Sequence, residues 1–259
     1  MSFNIEVASG STIQLPTKGK YCDRDIVVTA LEDHSIEDAL VTNPSSMTYY
    51  KNDRVTQIGV GAFYHSYVKV MEFPNVTNIG QWAFYKAKST SIRCPKAEYM
   101  GYEAFYYADV MTEIDLPLMK DVPSDGFLYC SKLQKAKLDS CKTLGNLSFA
   151  YCAALTDIYI PLVTSIGKTA FYGCAFTTLD VPSCTSIGES AFSACSKMTT
   201  LILRTPTVCS LVNTNAFTGT RIQGGAGYIY VPDELVDSYK TAANWSTYAN
   251  QIKPISELE

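Results

Sequence analysis

Cysteine has the widest range of chemistry in this chain, because thiols form disulfides, bind zinc and act as nucleophiles. The chain has nine cysteines but no Cys-x-x-Cys pair of the kind common in zinc sites. Seven recur at two positions of a sequence repeat: Cys130, Cys152, Cys174 and Cys195 at the first, and Cys141, Cys184 and Cys209 at the second. Because small or apolar residues fill these positions elsewhere, we interpret the thiols as buried packing residues and expect no zinc site. A disulfide between stacked neighbours such as Cys152 and Cys174 stays open.

The other polar residues form no constellation suited to catalysis. The two histidines, His34 and His65, have no neighbours in sequence that suggest a nucleophile or a metal site. Asp23 and Asp25 flank Arg24, which favours a solvated ion pair. The glycine-rich segment 224–227 lacks the lysine of a phosphate-binding loop. We therefore expect no enzyme activity, no metal and no cofactor.

A phenylalanine that returns at a nearly constant interval organises the sequence. It defines coils 1 to 8 in chain order: Phe63, Phe84, Phe105, Phe127, Phe149, Phe171, Phe192 and Phe217. The spacings are 21, 21, 22, 22, 22, 21 and 25 residues, and such a period is typical of repeat proteins. A repeat this short cannot bury its own apolar face, so stacked repeats share one core. The predicted fold class is an α/β repeat solenoid with a parallel β-sheet face.

The residue types are restricted at three of the positions that precede each phenylalanine: five, four and one residues before it. An apolar residue stands five before it, from Ile58 in coil 1 to Val212 in coil 8, and only small residues directly precede it. The position four before it holds Gly59, Gly80, Gly101, Pro123, Gly145, Gly167, Gly188 and Asn213. Glycine and asparagine tolerate positive φ, so we predict a tight turn with positive φ there, and a different turn at Pro123.

A short strand with one buried face precedes these positions in coils 2 to 7. Its inward residues are Met71 and Phe73, Ile92 and Cys94, Ile114 and Leu116, Ala136 and Leu138, Ile158 and Ile160, and Leu179 and Val181. A proline such as Pro74 usually follows, and because proline has no amide donor the strand should end there. Stacked coils would place equivalent strands roughly 4.8 Å apart in a parallel sheet. On the opposite side we expect one helical or 3₁₀ turn per coil.

The two ends of the chain depart from the repeat. Residues 1–46 are predicted to form a small β-meander and a connector, which cover the open end of the solenoid or attach it elsewhere. The repeats occupy residues 47–220. Residues 221–259 are predicted to form a C-terminal cap with one strand, Tyr228–Val231, and a helix with Asp233 as N-cap. Its buried face would hold Leu235, Val236, Tyr239 and Ala243, followed by Trp245, Tyr248 and Ile252.

Charge and hydropathy narrow the classes of partner. The net charge is −4 over 259 residues and no basic stripe occurs, so we expect no nucleic-acid ligand. No segment resembles a membrane span, so we expect no membrane insertion. The start, Met1 to Val7, lacks the basic and apolar regions of a signal peptide.

The surface positions suggest two possible recognition faces. The middle outward position of the strands reads Glu72, Arg93, Asp115, Lys137, Tyr159 and Asp180, so opposite charges are expected to pair down the sheet. Tyrosine is abundant, with 18 copies, half of them between Tyr49 and Tyr107. Tyrosines that follow the core phenylalanine should point partly outward, as an interface or as a mere cover of the coil. The candidate ligand residues are Tyr64, Tyr85, Tyr106, Tyr67, Tyr102, Tyr107, Arg93 and Tyr159.

The repeat unit L-x-x-I-x-I-P-x-V-x-x-I-G-x-x-A-F-x-x-C resembles the BspA-like (Treponema pallidum type) leucine-rich repeat. It is clearest from Leu155 to Cys174 and again from Thr178 to Cys195, and eight copies agree over about two thirds of the chain. The segment Gly19–Ala30 is similar to one found in tail-associated proteins of prophages in gut Firmicutes. The first resemblance implies a leucine-rich-repeat fold and a surface or secreted protein that binds proteins and cells.

Two functions remain open at this point. The first is a non-enzymatic adhesion module that recognises a protein or glycan through the solenoid surface, on a bacterial cell surface or a prophage tail. The second is a structural spacer without its own ligand. Cell-surface, extracellular or phage-particle localisation is favoured, and the oligomeric state is open.

Overall fold

The structure, a computed structural model, describes residues 30–31 and 49–258 of the chain. Most of the predicted N-terminal meander and connector, with Cys22, Asp23, Arg24, Asp25 and His34, therefore lies outside the described residues.

Nineteen short strands and a few helical turns make up the described part of the chain. In chain order they are β1 (Ala30–Leu31), β2 (Tyr49–Lys51), β3 (Gln57–Ile58), β4 (Val70–Glu72), β5 (Asn78–Ile79), β6 (Ser91–Arg93), β7 (Tyr99–Met100), β8 (Glu113–Asp115), β9 (Asp121–Val122), β10 (Lys135–Lys137), β11 (Thr143–Leu144), β12 (Asp157–Tyr159), β13 (Ser165–Ile166), β14 (Thr178–Asp180), β15 (Ser186–Ile187), β16 (Thr200–Ile202), β17 (Ser210–Leu211), β18 (Tyr228–Val231) and β19 (Ile252–Pro254). The α-helix α1 spans Val236–Thr241, and 3₁₀ helices span Thr214–Phe217, Asp233–Leu235, Trp245–Gln251 and Ile255–Glu257.

Each coil contributes one strand to each of two parallel sheets, which confirms the predicted solenoid and adds a second sheet. The wide sheet, built mainly from the three-residue strands, runs in the segments β2-β4-β6, β8-β10-β12 and β14-β16-β18-β19. The narrow sheet, built from two-residue strands, runs in the segments β1-β3-β5-β7 and β9-β11-β13-β15-β17. Alternation in the sequence predicts only the wide sheet, because two residues are too few to show alternation.

The core lies between the sheets and the turn that carries the phenylalanine. All eight phenylalanines of the repeat are 0% exposed, and successive rings stack with centroids 4.9–5.9 Å apart. The predicted inward strand residues are buried as well, except Ile158, which is half-buried. The amide of Phe73, just before Pro74, still bonds to the Arg93 carbonyl, so the ladder ends where proline removes the donor.

The prediction of positive φ at the glycine position of the repeat was wrong. Positive φ occurs instead two residues before and two residues after the phenylalanine, for example at Thr169 (φ 57°) and His65 (φ 54°). These left-handed residues interrupt the expected helical or 3₁₀ turn in coils 1 to 7, and only coil 8 has a 3₁₀ helix there. The glycines are required by close packing, since a Cβ on Gly80 would lie 2.5 Å from the Gly59 carbonyl carbon. Pro123 does not change the turn, because Asp125 two residues later keeps φ at 61°.

In coil 8 the buried strand residue lies six residues before the phenylalanine, and not five as the repeat pattern of the sequence predicts. Leu211 pairs with Ile187 and is buried, whereas Val212, predicted for this position, is 57% exposed. Asn213 then caps the 3₁₀ helix, because its side chain accepts a hydrogen bond from the Asn215 amide. The spacing of 25 residues to Phe217 therefore hides an extra residue between strand and turn.

The C-terminal cap covers the last coil with side chains that satisfy its open backbone. The Tyr239 hydroxyl accepts a hydrogen bond from the Cys209 amide, and Trp245 Nε1 donates to the Cys209 carbonyl. The strand Tyr228–Val231 forms as predicted, and β19 adds one that was not predicted. Asp233 does not cap the helix; its Oδ1 accepts from the Ser256 amide, and the helix ends at Thr241 with Ala243 exposed.

The described strand of the N-terminal segment joins the repeats. Strand β1 pairs in parallel with β3, in the register Ala30 with Gln57 and Leu31 with Ile58. A meander would pair its strands antiparallel, so Ala30–Leu31 extends the narrow sheet by one strand before coil 1.

Candidate functional site

A continuous row of tyrosine side chains follows the phenylalanine turn across coils 1 to 6. Tyr64, Tyr85, Tyr106 and Tyr172 directly follow the core phenylalanine and are half-buried, as predicted. We call the row the tyrosine ladder; its members are Tyr64, Tyr85, Tyr106, Tyr107, Tyr129, Tyr151 and Tyr172.

The rings of the tyrosine ladder contact one another at the spacing of the coils; three pairs are stacked, and the pairs Tyr107–Tyr129 and Tyr151–Tyr172 are tilted, by 35° and 51°. The Tyr64 and Tyr85 centroids lie 4.7 Å apart with planes 1° from parallel, and those of Tyr85 and Tyr106 lie 4.9 Å apart at 4°. The row continues from Tyr107 to Tyr129 at 5.0 Å, from Tyr129 to Tyr151 at 4.7 Å and from Tyr151 to Tyr172 at 5.1 Å. In the stacked pairs the ring faces cover each other, and mainly edges and hydroxyls are left for solvent.

Two members of the ladder were not predicted from the sequence. Tyr129 and Tyr151 stand two residues after the phenylalanine, not one, and have φ of 62° and 58°. The preceding positions hold Leu128 and Ala150, which are buried. The sequence did contain a signal: in these two coils an apolar residue replaces the tyrosine that directly follows the phenylalanine, and a tyrosine stands one residue later. The left-handed backbone turns the shifted tyrosine into the same row.

Tyr85 and Tyr106 of the ladder present neutral hydroxyl groups. Burial raises the pKa of Tyr85 and of Tyr106, and nearby groups including Glu103 raise both further, so both hydroxyls stay protonated at neutral pH. Within residues 49–258, the hydroxyls of Tyr85, Tyr106 and Tyr129 have no hydrogen-bond partner. Lys86 Nζ lies 5.2 Å from the Tyr85 ring centroid and 6.0 Å from that of Tyr107, and adds one cation beside the row. The surface can therefore donate and accept hydrogen bonds along a line.

The eight predicted ligand residues fall on different surfaces. Tyr64, Tyr85, Tyr106 and Tyr107 come together in the ladder, and His65 stacks on Tyr64 at 4.6 Å. Tyr67 and Tyr102 are 43% and 59% exposed, and within the described residues neither ring contacts the ladder. Arg93 and Tyr159 lie on the exposed face of the wide sheet, as expected.

The charges of the wide sheet are in register but do not pair as predicted. Lys137 on β10 is paired in register with Asp115 on β8, yet its Nζ forms an ion pair with Asp139 of its own coil at 3.5 Å. The bidentate pair of Arg204 with Asp180, at 2.9 Å, links adjacent coils instead. Both groups are 41% exposed, so the pair contributes about 0–1 kcal/mol.

The cysteines behave as packing residues. Eight are buried and free, and the Cys152 and Cys174 thiols donate to the carbonyls of Phe127 and Phe149 instead of bonding to each other. Burial raises the pKa of Cys195 and of Cys141 to about 12, which makes these thiols poor nucleophiles. No group of three or more His, Cys, Asp or Glu residues is placed to hold a metal in the described part of the chain. None of its helices is long and apolar enough to cross a membrane.

Comparison with known proteins agrees with this architecture. The family model described as "BspA type Leucine rich repeat region (6 copies)" matches residues 35–140 and 120–235. A leucine-rich repeat protein from Bacteroides ovatus has a similar structure, with a TM-score of 0.52 and 19% identity over 89% of this chain. This chain spans 63% of that protein's length.

Two further structures are more distant. A leucine rich cell surface protein from Faecalibacterium prausnitzii has a TM-score of 0.37 and 17% identity, over 93% of this chain and 86% of its own. The pneumococcal vaccine antigen PcpA has a TM-score of 0.42 and 14% identity, over 90% of this chain and 71% of its own. No curated protein matches the chain. The predicted similarity to prophage tail-associated proteins is not shown and stays a prediction. The family match, the repeated phenylalanine turn and the stacked parallel strands together establish that the chain belongs to the BspA-type leucine-rich repeat family.

Proposed function

We propose that this chain is a non-enzymatic binding module of the adhesion type, whose tyrosine ladder contacts a protein or glycan ligand on a bacterial cell surface. The observation that carries the proposal is the ladder itself, which keeps seven tyrosines in one row across coils 1 to 6. Tyrosine provides a large contact area with few rotatable bonds, so an interface built from it loses little conformational entropy on binding.

The order of the ladder supports recognition. The rings are held by contacts with one another before any ligand arrives, so the entropic cost of ordering them is already met by the fold. Their exposed edges and hydroxyls can match the amides of a polypeptide or the hydroxyls of a sugar. In the stacked pairs the flat ring faces are occupied by neighbouring rings, so a sugar would be bound there by hydrogen bonds and edge contacts rather than by stacking.

Binding to washed bacterial cells and to a glycan array tests the proposal. The ladder variant Tyr85→Ala/Tyr106→Ala/Tyr129→Ala is compared with Arg93→Ala/Tyr159→Ala on the wide sheet, each after its fold is verified by circular dichroism. We expect the ladder variant to lose at least about tenfold in affinity, since buried aromatic anchors carry most of the energy of an interface. The wide-sheet variant should bind like the unchanged protein.

Other outcomes reassign the function. If only the wide-sheet variant loses binding, the ligand face is the wide sheet and the ladder is a cover of the coils. If the unchanged protein binds neither cells nor glycans, the chain is a spacer. Antibody detection in cytosol, on washed cells and in phage-like particles from the medium then locates the assembly that contains it.

A further inference from the structure

The junction between coils 3 and 4 differs from every other junction in the stack. Strand β6 does not pair with β8 in the wide sheet, and β7 does not pair with β9 in the narrow sheet. Each of the other six junctions between coils 1 and 8 keeps strand pairing in at least one sheet. We call the junction between coils 3 and 4 the seam.

Pro123 explains the gap in the narrow sheet. In coils 3 and 5 the equivalent glycine amides donate to the preceding coil, from Gly101 to the Ile79 carbonyl at 2.9 Å and from Gly145 to the Val122 carbonyl at 2.8 Å. Proline has no amide hydrogen, so the Met100 carbonyl loses the corresponding donor. The narrow sheet is therefore interrupted where the sequence places its one proline in the glycine column.

A change in coil length accompanies the gap in the wide sheet. Strand β6 begins at Ser91, seven residues after Phe84. Strand β8 begins at Glu113, eight residues after Phe105. The extra residue falls just before β8, where the pairing with β6 is lost. Three backbone hydrogen bonds remain across the seam, donated by Phe105 to Gly126, by Tyr107 to Leu128 and by Lys120 to Glu98.

Some charged side chains at the seam repel each other across it, and others attract. Glu103 and Asp125 face each other across it; burial raises the pKa of Asp125, and the negative charge of Glu103 raises it further. Lys120 links the two coils across the seam: its Nζ lies 2.6 Å from Glu98 Oε2 and 2.5 Å from the Tyr99 hydroxyl. This pair is at the surface, with Lys120 47% exposed, so its contribution is small.

The core continues through the seam while the tyrosine ladder changes geometry there. The Phe105 and Phe127 rings stack at 4.9 Å, and the Cys130 thiol donates to the Phe105 carbonyl. The Tyr106 and Tyr129 rings, in contrast, meet edge to face at 77° with centroids 5.8 Å apart, and the row crosses the seam through Tyr107, whose ring is tilted by 35° from that of Tyr129 at 5.0 Å. A continuous core with interrupted sheets permits bending more readily than separation.

We propose that the seam is the hinge of this solenoid. The geometry divides the tyrosine ladder into one half from Tyr64 to Tyr107 and a second half from Tyr129 to Tyr172. Opening of the seam changes the angle between the two halves. The proposal concerns the fold alone and does not depend on the ladder being a binding surface.

Amide hydrogen exchange of the whole protein tests the hinge. The amides of Phe105 and Tyr107 at the seam are compared with those of Phe84 and Lys86, and of Phe127 and Tyr129, which occupy the same positions in neighbouring coils. We expect the seam amides to exchange at least about tenfold faster, because local opening exposes them without global unfolding. Equal rates at the three junctions overturn the proposal.

Matched variants test whether the missing contacts at the seam cause the faster amide exchange. Lys120→Ala should speed exchange at Phe105 and Tyr107 several-fold, whereas Lys142→Ala, in the same column one coil later, should not, because Lys142 makes no side-chain ion pair among the described residues. Pro123→Gly restores the missing donor and should slow exchange of the seam amides. Equal effects of the two lysine variants, or faster exchange in Pro123→Gly, contradict the hinge, and the comparison within the unchanged protein remains decisive if a variant fails to fold.

Discussion

Gly167 packs so closely on Gly145 of the preceding coil that a Cβ atom on it would lie 2.6 Å from the Gly145 carbonyl carbon. The same approach recurs at Gly188, where the Cβ would lie 2.6 Å from the Gly167 carbonyl carbon. Distances below 3.0 Å require backbone atoms to move. The glycine column therefore sets how near one coil can lie to the next, and this spacing determines the strand pairing of the narrow sheet.

Replacing Gly167 by alanine should destabilise the protein by about 1–3 kcal/mol, because the added methyl group forces two coils apart. The measurement is the urea concentration at the midpoint of unfolding. Gly173→Ala is the matched control: a Cβ there meets nothing within 4 Å, and only its φ of 72° opposes the change. A larger loss for Gly173→Ala would mean that backbone conformation, and not coil packing, selects the glycines.

Phe149 lies mid-stack, with ring centroids 4.9 Å from Phe127 and 5.7 Å from Phe171. Phe149→Ala should cost roughly 3–5 kcal/mol by forming a cavity, and should make the two halves of the stack unfold separately. Phe149→Leu, which keeps most of the volume, should cost about 1.5 kcal/mol or less. Denaturant unfolding followed by far-ultraviolet circular dichroism gives both values. A loss under 1 kcal/mol for the alanine variant would show that the phenylalanine column is not core.

The buried thiols should make stability fall at alkaline pH. Cys195 in the folded protein has a pKa raised to about 12, whereas an unfolded thiol ionises at about 8.5. The contribution of Cys195 to the free energy of unfolding is therefore complete below about pH 8.5. It is lost as the pH rises toward 12, by up to about 1.4 kcal/mol per pH unit. Urea midpoints at pH 7.5 and pH 9.5 should differ less in Cys195→Ala than in the unchanged protein. The same pH dependence in both proteins would contradict a buried, protonated thiol.

The pair of Arg204 and Asp180 should contribute little and should be sensitive to salt. Its closest distance is 2.9 Å, but both side chains are 41% exposed. A double-mutant cycle with Arg204→Ala and Asp180→Ala should give a coupling energy of about 0.2–1 kcal/mol that falls at high salt. Coupling well above this, or unaffected by salt, would show that the wide sheet is held by its charges.

Repetition allowed much of the fold to be read from the sequence. Because a residue and its equivalents occupy the same environment in every coil, restricted columns revealed the buried phenylalanines, the small residues before them and the cysteines. Alternation identified the wide-sheet strands, and prolines marked their ends. The predicted outward position of Tyr64, Tyr85 and Tyr106 followed from their place next to a buried phenylalanine.

Tertiary structure decided the features that depend on backbone direction at single residues. The same column can require glycine for positive φ or for close packing, and only the contact between coils distinguishes the two at Gly80 and Gly167. Tyr129 and Tyr151 join the ladder because a left-handed φ turns them into the row, which spacing from the phenylalanine does not show. Lys137 pairs within its own coil because a flexible side chain reaches more than one carboxylate. The sequence determined which residues are equivalent; the stacked backbone determined where each of them points and what it touches.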